Sequence, residues 1–251
     1  MVTFLRTLFF FLVFWTHQLL ILPFLVYYSI RADRTGDPGV RPPVCRIAHG
    51  WGRLICRLGG ARVTVNDHAG LAPDEAVLFV SNHQSDFDIP VLLAFGGRDL
   101  AFVAKKELEN IPLVSPWMKL MGCIFLDREN RRKQVAQIKQ TVEHLQSGLS
   151  MVVFPEGTRS RSPEMRPFAK GSLNIAERAG VRIVPITLRD TYALNPKGVF
   201  GFPGGDVTLT LHPALDPTTL SKDEKSDLHN AVQAVVASAL HPASTIEDAH
   251  A

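Results

Sequence analysis

The stretch Ala76-Val77-Leu78-Phe79-Val80-Ser81-Asn82-His83-Gln84-Ser85-Asp86-Phe87-Asp88-Ile89-Pro90 sets a polar turn, Asn82 to Asp88, between two apolar runs, Ala76–Val80 and Ile89–Phe95. The spacing predicts a strand ending near Ser81, a loop carrying His83 and a helix beginning near Asp88. Asp88 would cap the free amides there, with Pro90 in the first turn. His83 and Asp88 cannot share one regular helix, because residues five apart lie about 140° round its axis. A strand–loop–helix unit is therefore the reading that fixes the fold.

The same pattern recurs along the chain. Short β-rich runs at Arg62–Val65, Ala76–Val80, Leu100–Ala104, Ile124–Leu126, Met151–Phe154, Arg182–Leu188 and Val207–Leu211 alternate with helical spacing. Val135, Ile138, Val142 and Leu145 mark a helix from about 130 to 146, stopped by Gly148. Another helix spans about 171 to 179. A third opens with the capping box Ser221-x-x-Glu224 and should bury Leu228, Val232, Val235 and Leu240. The expected architecture is α/β: a central mixed, largely parallel sheet of about seven strands flanked by helices, over residues 61–241. Residues 242–251 read as a flexible tail.

Residues 1–60 differ. Thr7 to Ile30 carry no formal charge, and 24 residues of helix reach about 36 Å, enough for a hydrocarbon core of about 30 Å. Membrane anchoring by segment 7–30 is the reading taken over a cleaved signal peptide, because no clear small-residue cleavage site follows. His17-Gln18 in mid-segment counts against simple spanning. After the breaker-rich linker Asp33–Pro43, Val44, Ile47, Ala48, Trp51, Leu54, Ile55 and Leu58 recur at helical spacing, with Arg46, His49, Arg53 and Arg57 opposite. This basic amphipathic helix, 43–58, either covers the core or lies on a membrane surface with its arginines towards anionic headgroups; the second reading is preferred. Gly50 and Gly52 weaken it by roughly 1 kcal/mol each relative to Ala. The two segments together make an N-terminal membrane-associated helical pair.

Composition narrows the rest. In 251 residues, 46% hydrophobic, a net charge of +3 is too mild to imply nucleic acid. Cys45, Cys56 and Cys123 form neither a CxxC pair nor a metal-ligand cluster, so a reducing compartment is the simpler reading and no metal is expected.

A histidine with a nearby carboxylate can take a proton from an alcohol at neutral pH, the carboxylate fixing the tautomer. His83 has Asp86 and Asp88 within reach, and His-x4-Asp alone is weak, arising by chance ~0.5 times in such a chain. Three other strand ends carry polar groups. Lys105-Lys106 follows Leu100–Ala104, Lys105 being a candidate ligand or simply solvated. Asp127-Arg128 follows Ile124–Leu126, Arg128 holding an anionic oxygen or pairing with Asp127. Phe154-Pro155-Glu156-Gly157-Thr158-Arg159-Ser160 comes at the end of the run Met151–Phe154, where Gly157 admits close approach and Arg159 offers a fork suited to phosphate. Pro185, inside Val184-Pro185-Ile186, argues for a strand end, edge or bulge.

Four blocks together, Asn82-His83-Gln84-Ser85-x-x-Asp88, Phe125-Leu126-Asp127-Arg128, Phe154 to Ser160 and Val184-Pro185-Ile186, resemble in order and distance the motif blocks of the glycerolipid acyltransferases, specifically the bacterial-type 1-acyl-glycerol-3-phosphate acyltransferases. The resemblance implies transfer of a fatty acyl group from acyl-CoA or acyl carrier protein, as co-substrate and without a cofactor, to a lysophospholipid hydroxyl, giving phosphatidic acid. It implies His83 as general base and Asp88 as its orienting partner. Arg128, Glu156, Gly157, Thr158 and Arg159 would bind the acceptor's glycerol phosphate, and Val184, Pro185 and Ile186 would shape the acyl-donor side. It implies a site at the cytoplasmic face of the inner membrane, in contact with phospholipid and lysophospholipid. Asp86 stands where the family often has an aromatic or apolar residue and Leu126 where isoleucine is common; neither departure touches an assigned role. The alternatives are another lysolipid acceptor, such as a lyso-ornithine lipid, a Ser85 nucleophile, and a noncatalytic membrane-anchored phospholipid-binding protein. Ser85 lacks a nucleophile elbow.

Overall fold

Seven strands form in the computed structural model, which describes residues 2–35, 38–196, 198 and 201–240. They are β1 (Ala61–Asp67), β2 (Val77–Ser81), β3 (Leu100–Lys105), β4 (Ile124–Leu126), β5 (Ser150–Val153), β6 (Arg182–Arg189) and β7 (Gly205–Leu211). All seven expected runs are strands. The helices are α1 (Val2–Thr35), α2 (Arg41–Gly59), α3 (Asp88–Phe95), α4 (Val114–Met121), α5 (Arg131–Gln146), α6 (Asn174–Ala179) and α7 (Lys222–Ser238). The tail 242–251 lies outside the described residues.

The sheet order is β1-β7-β6-β2-β5-β3-β4. Every neighbouring pair is parallel except β6 with β7. Covered on both faces, β2 and β5 are buried along their whole length, which is why their sequences read as unbroken apolar runs. Leu78, Phe79, Met151 and Ile183 make the centre of the core. Because β1 and β7 run against the other five strands, their first residues lie at the same edge of the sheet as the last residues of β2, β5 and β6. Polar loops collect at that carboxyl edge.

Pro185 sits inside a central strand, paired with Val80 of β2, so it marks neither a strand end nor an edge. On its other side the register slips by one residue: Ile186 faces Leu211 while Ile183 bridges Leu215. This bulge in the segment paired with β6 meets the part of β6 where proline offers no N–H.

Within the α/β domain, three helices depart from their expected form. α6 starts at Asn174 because Gly171, at φ +84°, turns the chain before it. In α7 the capping box forms as expected, but Val236 is the fully buried residue and Val235 is 36% exposed. In α3, Asp88 is the first helical residue and its side chain caps nothing downstream; it turns back to the loop.

α1 is continuous through His17 and Pro23 and runs well beyond 7–30 at both ends. By length and composition it suffices to cross a membrane, with only 11% of its most apolar stretch buried against the rest. Leu8, Leu12, Trp15, Leu19 and Leu20 point outward, while Phe10 is buried against Phe202 at 4.3 Å between ring centroids. α2 covers the core: Val44, Cys45, Ala48, Ile55 and Cys56 are buried, while Arg46, Arg53 and Arg57 are exposed. The core-covering reading of this helix is thus correct for its apolar face. Gly52 does not merely weaken α2, because a Cβ there would meet the Pro90 carbonyl at 2.7 Å and the Ala94 nitrogen at 3.0 Å. The helix accepts a glycine so that its backbone can lie directly on α3.

Candidate active site

Asp88 is fully buried, and its two oxygens have four donors around them. Oδ2 faces His83 Nδ1 at 2.6 Å and accepts the backbone N–H groups of Gln84 at 2.7 Å and Ser85 at 2.9 Å. Oδ1 accepts the Thr191 hydroxyl. A buried carboxylate is tolerable when its lone pairs are filled in this way. As an acceptor it requires the hydrogen of a neutral imidazole to sit on Nδ1, leaving the Nε2 lone pair free. The His83 side chain is 18% exposed, and no hydrogen bond reaches Nε2 among the described residues. Its ring stacks on Phe154 at 4.2 Å and 22°.

The loop is held from three directions. Asn82, fully buried, donates to the Leu188 carbonyl and accepts the Leu188 N–H, both at 2.8 Å, tying the ends of β2 and β6 together. The Ser160 N–H donates to the His83 carbonyl at 2.8 Å and the Arg161 N–H to that of Gln84 at 3.1 Å, bringing the loop after β5 alongside. Arg161 at φ +57° and Asp190 at φ +69° are two of the three non-glycine residues with positive φ among the described residues, and both flank this loop. Such strained backbone collects at functional sites.

Glu156 is placed differently from its expected role. One carboxylate oxygen accepts the His83 backbone N–H at 2.7 Å and the other that of Arg166 at 2.9 Å. Burial pushes its carboxyl above the usual glutamate range and Asp88 adds repulsion, while the two amides pull the other way. With both oxygens taken by backbone amides, Glu156 ties the histidine loop to the segment after β5.

Arg128 Nη1 donates to the Gly157 carbonyl at 3.2 Å. Gly157 is at φ +72°, a conformation that other residues rarely adopt, and a Cβ there would lie 2.4 Å from that nitrogen, so a side chain would be strained and would push the guanidinium off the loop. Arg159 pairs with Asp86. The Asp86 departure from the family pattern therefore does touch an assigned residue. Thr158 is exposed, with no hydrogen bond from its hydroxyl among the described residues. Lys105 is exposed at the end of β3, and it is Lys106 that turns back, to Asp127 at 3.1 Å and Glu129 at 2.9 Å.

Val184 and Ile186 are fully buried and Pro185 is buried beside them, so the block has no surface to offer a donor and can act only by supporting the end of β6. Ser85 is also buried: its hydroxyl donates to the Thr191 carbonyl at 2.9 Å and accepts the Phe87 N–H at 3.0 Å. These bonds fix it as a structural residue of the turn, which removes the basis for a serine nucleophile. Asn82 lay inside the quoted motif without a role. Thr191 carried no sequence signal, since nothing in Arg189-Asp190-Thr191 announces a partner for a residue 103 positions away.

The site thus sets a histidine backed by a buried carboxylate on the carboxyl edge of an α/β sheet, beside an arginine-bearing loop. A family model described as acyltransferase matches residues 62–189, and the chain belongs to that family. It is similar to a 1-acyl-sn-glycerol-3-phosphate acyltransferase of Chlamydomonas reinhardtii, 37% identical over 183 residues that make up 72% of this chain and 54% of the algal one. Another, from Borreliella burgdorferi, is 30% identical over 176 residues, 70% of each chain. The chain spans between 39% and 54% of the length of the algal and plant relatives it matches. The crystal structure of the 1-acyl-sn-glycerophosphate (LPA) acyltransferase PlsC from Thermotoga maritima superposes with a TM-score of 0.79 at 31% identity, covering 95% of this chain and 94% of that one.

Proposed function

We propose that this chain transfers an acyl group from a thioester of coenzyme A or acyl carrier protein to the sn-2 hydroxyl of 1-acyl-glycerol-3-phosphate, giving phosphatidic acid. The observation that carries this reading is the His83–Asp88 pair at 2.6 Å with Nε2 left free, set beside the loop of Arg159 by the Ser160–His83 hydrogen bond. His83 Nε2 takes the proton as the acceptor oxygen bonds to the thioester carbon. The carbon–sulfur bond then breaks, and the leaving thiolate recovers the proton from the imidazolium. Asp88 steadies that cation, and such a base contributes roughly 10²- to 10⁴-fold.

Arg128 and Arg159, with Gly157 and Thr158 between them, hold the acceptor's phosphate. The Asp86 carboxylate occupies Arg159 until the phosphate displaces it. α1 keeps its outward apolar face in the cytoplasmic leaflet of the inner membrane, where each lipid CH₂ left in the bilayer retains about 0.8 kcal/mol of favourable partitioning. The arginines of α2 then lie at headgroup level, and the lipid tail need not leave the membrane.

A second reading gains from the Asp86–Arg159 pair. Opposite charges side by side suit a zwitterionic headgroup carrying an amine and a carboxylate, as a lyso-ornithine lipid does. Mass spectrometry of the products formed from a panel of lysolipids, with acyl-CoA and acyl carrier protein in turn, separates the two. Acylation of lysophosphatidate above all others supports the first reading. Absence of acyl transfer to any lysolipid defeats both.

A further inference from the structure

A cavity of about 600 Å³ opens between the last turn of α2, the start of β1 and the entry to β7. Four arginines line it, Arg6, Arg53, Arg57 and Arg62, and no carboxylate does among the described residues. Arg62 is neutralised by Asp206, which accepts from Nε at 2.6 Å and Nη2 at 2.8 Å. Arg6 donates to the carbonyls of Phe202 at 3.2 Å and Pro203 at 2.7 Å, which aim its guanidinium without cancelling its charge. Arg53 and Arg57 stand one helical turn apart, an arrangement that repels. Neither has an acidic partner among the described residues.

The slot for Arg6 is built into the backbone. Gly60 at φ +74° and Gly204 at φ +76° lie in backbone contact beside it, and a Cβ on either would lie 2.7 Å or 2.5 Å from Arg6 Nη1. Two glycines in the left-handed region thus make room for one guanidinium where two more point into the same space.

The cavity also has a defined place relative to His83. The starts of β1 and β7 lie at the carboxyl edge of the sheet, on the β6 side of β2, whereas the loop of Arg159 follows β5 on the other side. Gly59, beside the cavity, packs so closely on the Phe87 ring that a Cβ would fall 2.4 Å from it, and Phe87 is four residues from His83. Two groups of cations therefore flank the catalytic loop, one on each side.

We infer that this cavity is a second phosphate-binding site, for a phosphate carried by a molecule other than the acceptor. The inference rests on the acyl-transfer reading only for the choice of ligand. The phosphopantetheine arm of the acyl carrier and the headgroup of a bilayer phospholipid both present this group at the plane where Arg6 lies, next to the exposed Phe4, Leu5, Leu8 and Phe9.

The test compares the full-length protein with the double variant Arg53→Gln/Arg57→Gln and the charge-keeping Arg53→Lys/Arg57→Lys. Inorganic pyrophosphate is the first probe, read as thermal stabilisation: wild type gains, the glutamine variant does not, and the lysine variant recovers part of the gain. Steady-state kinetics and vesicle co-sedimentation then identify the source. A rise of about tenfold in donor KM with acceptor KM unchanged assigns the carrier phosphate. Lost affinity for phosphatidylglycerol over phosphatidylcholine vesicles, with donor KM unchanged, assigns the lipid headgroup. Equal pyrophosphate stabilisation in wild type and the glutamine variant, or none in either, overturns the site. Should the double variant not fold, Arg57→Gln alone is read by the same comparison. The stabilisation assay needs no turnover, so its failure is distinct from a failure of the proposed reaction.

Discussion

The two edges of this sheet handle carboxylates in opposite ways. At the amino edge, Glu75 meets Arg182 in a two-pronged pair at 2.5 and 2.6 Å, with both side chains partly open to solvent. At the carboxyl edge, Asp88 is sealed from water and filled by an imidazole, two amides and a hydroxyl. The first arrangement can lose a partner to water at little cost. The second cannot, because a buried donor left without its acceptor bears its full desolvation penalty. One edge fastens strands; the other fixes the direction of a single ring nitrogen.

His83→Ala tests that division most severely, and kcat should fall roughly 10²- to 10⁴-fold with donor binding largely spared, read by steady-state turnover beside equilibrium binding of a nonhydrolysable donor. Undiminished turnover would remove the mechanism. Asp88→Asn should cost both properties at once: about 1–3 kcal/mol of stability in urea unfolding, since an amide cannot accept from all four donors, and roughly 10²-fold in kcat. A loss in stability with kcat intact would place Asp88 with the fastening groups of the opposite edge.

Arg159→Ala should raise the acceptor KM about tenfold while leaving kcat nearly alone. Asp86→Asn should lower it by roughly two- to fivefold, the range of an exposed ion pair worth up to about 1 kcal/mol. A rise in acceptor KM on freeing Arg159 would mean that Asp86 contributes to acceptor binding, as the zwitterionic reading requires.

The smallest effect belongs to Glu75→Gln, under about 1 kcal/mol at neutral pH with turnover unchanged. Its hydrogen bonds with Arg182 hold the Glu75 carboxyl below the ordinary glutamate range. The stabilisation is therefore present above the unfolded-state value and lost as pH falls through the lower folded one. Thermal unfolding of the two proteins should differ at pH 7 and converge as the solution is acidified. A gap that widened in acid would reverse this assignment.

How much of this was legible depended on whether the cause was local. The strands could be read because β2 and β5 bury both faces and so show no polar break. α5 could be read from its apolar stripe, Val135, Ile138, Val142 and Leu145, and α7 from the capping box that Ser221 and Glu224 form. α4 was not anticipated: Pro116 breaks its pattern, yet it sits in the first turn, where its missing N–H costs nothing. In the site, a histidine with a carboxylate nearby could be read from the turn itself, and the choice of Asp88 over Asp86 came from the resemblance of the four blocks together. Thr191, the two amides held by Glu156 and the Asp86–Arg159 pair depend on loops from different strands meeting at one edge, which no spacing in the chain reports.

Gly52 has one last bearing on how the molecule works. By letting α2 rest on the main chain of α3, it leaves no slack between the helical hairpin and the residue that starts α3, Asp88. If α1 floats in a leaflet, the height at which the imidazole rides above the lipid is set as firmly as a keel sets draught. Gly52→Ala should then wedge the two apart, changing how deep a hydroxyl the protein can reach before it changes how fast it reacts there.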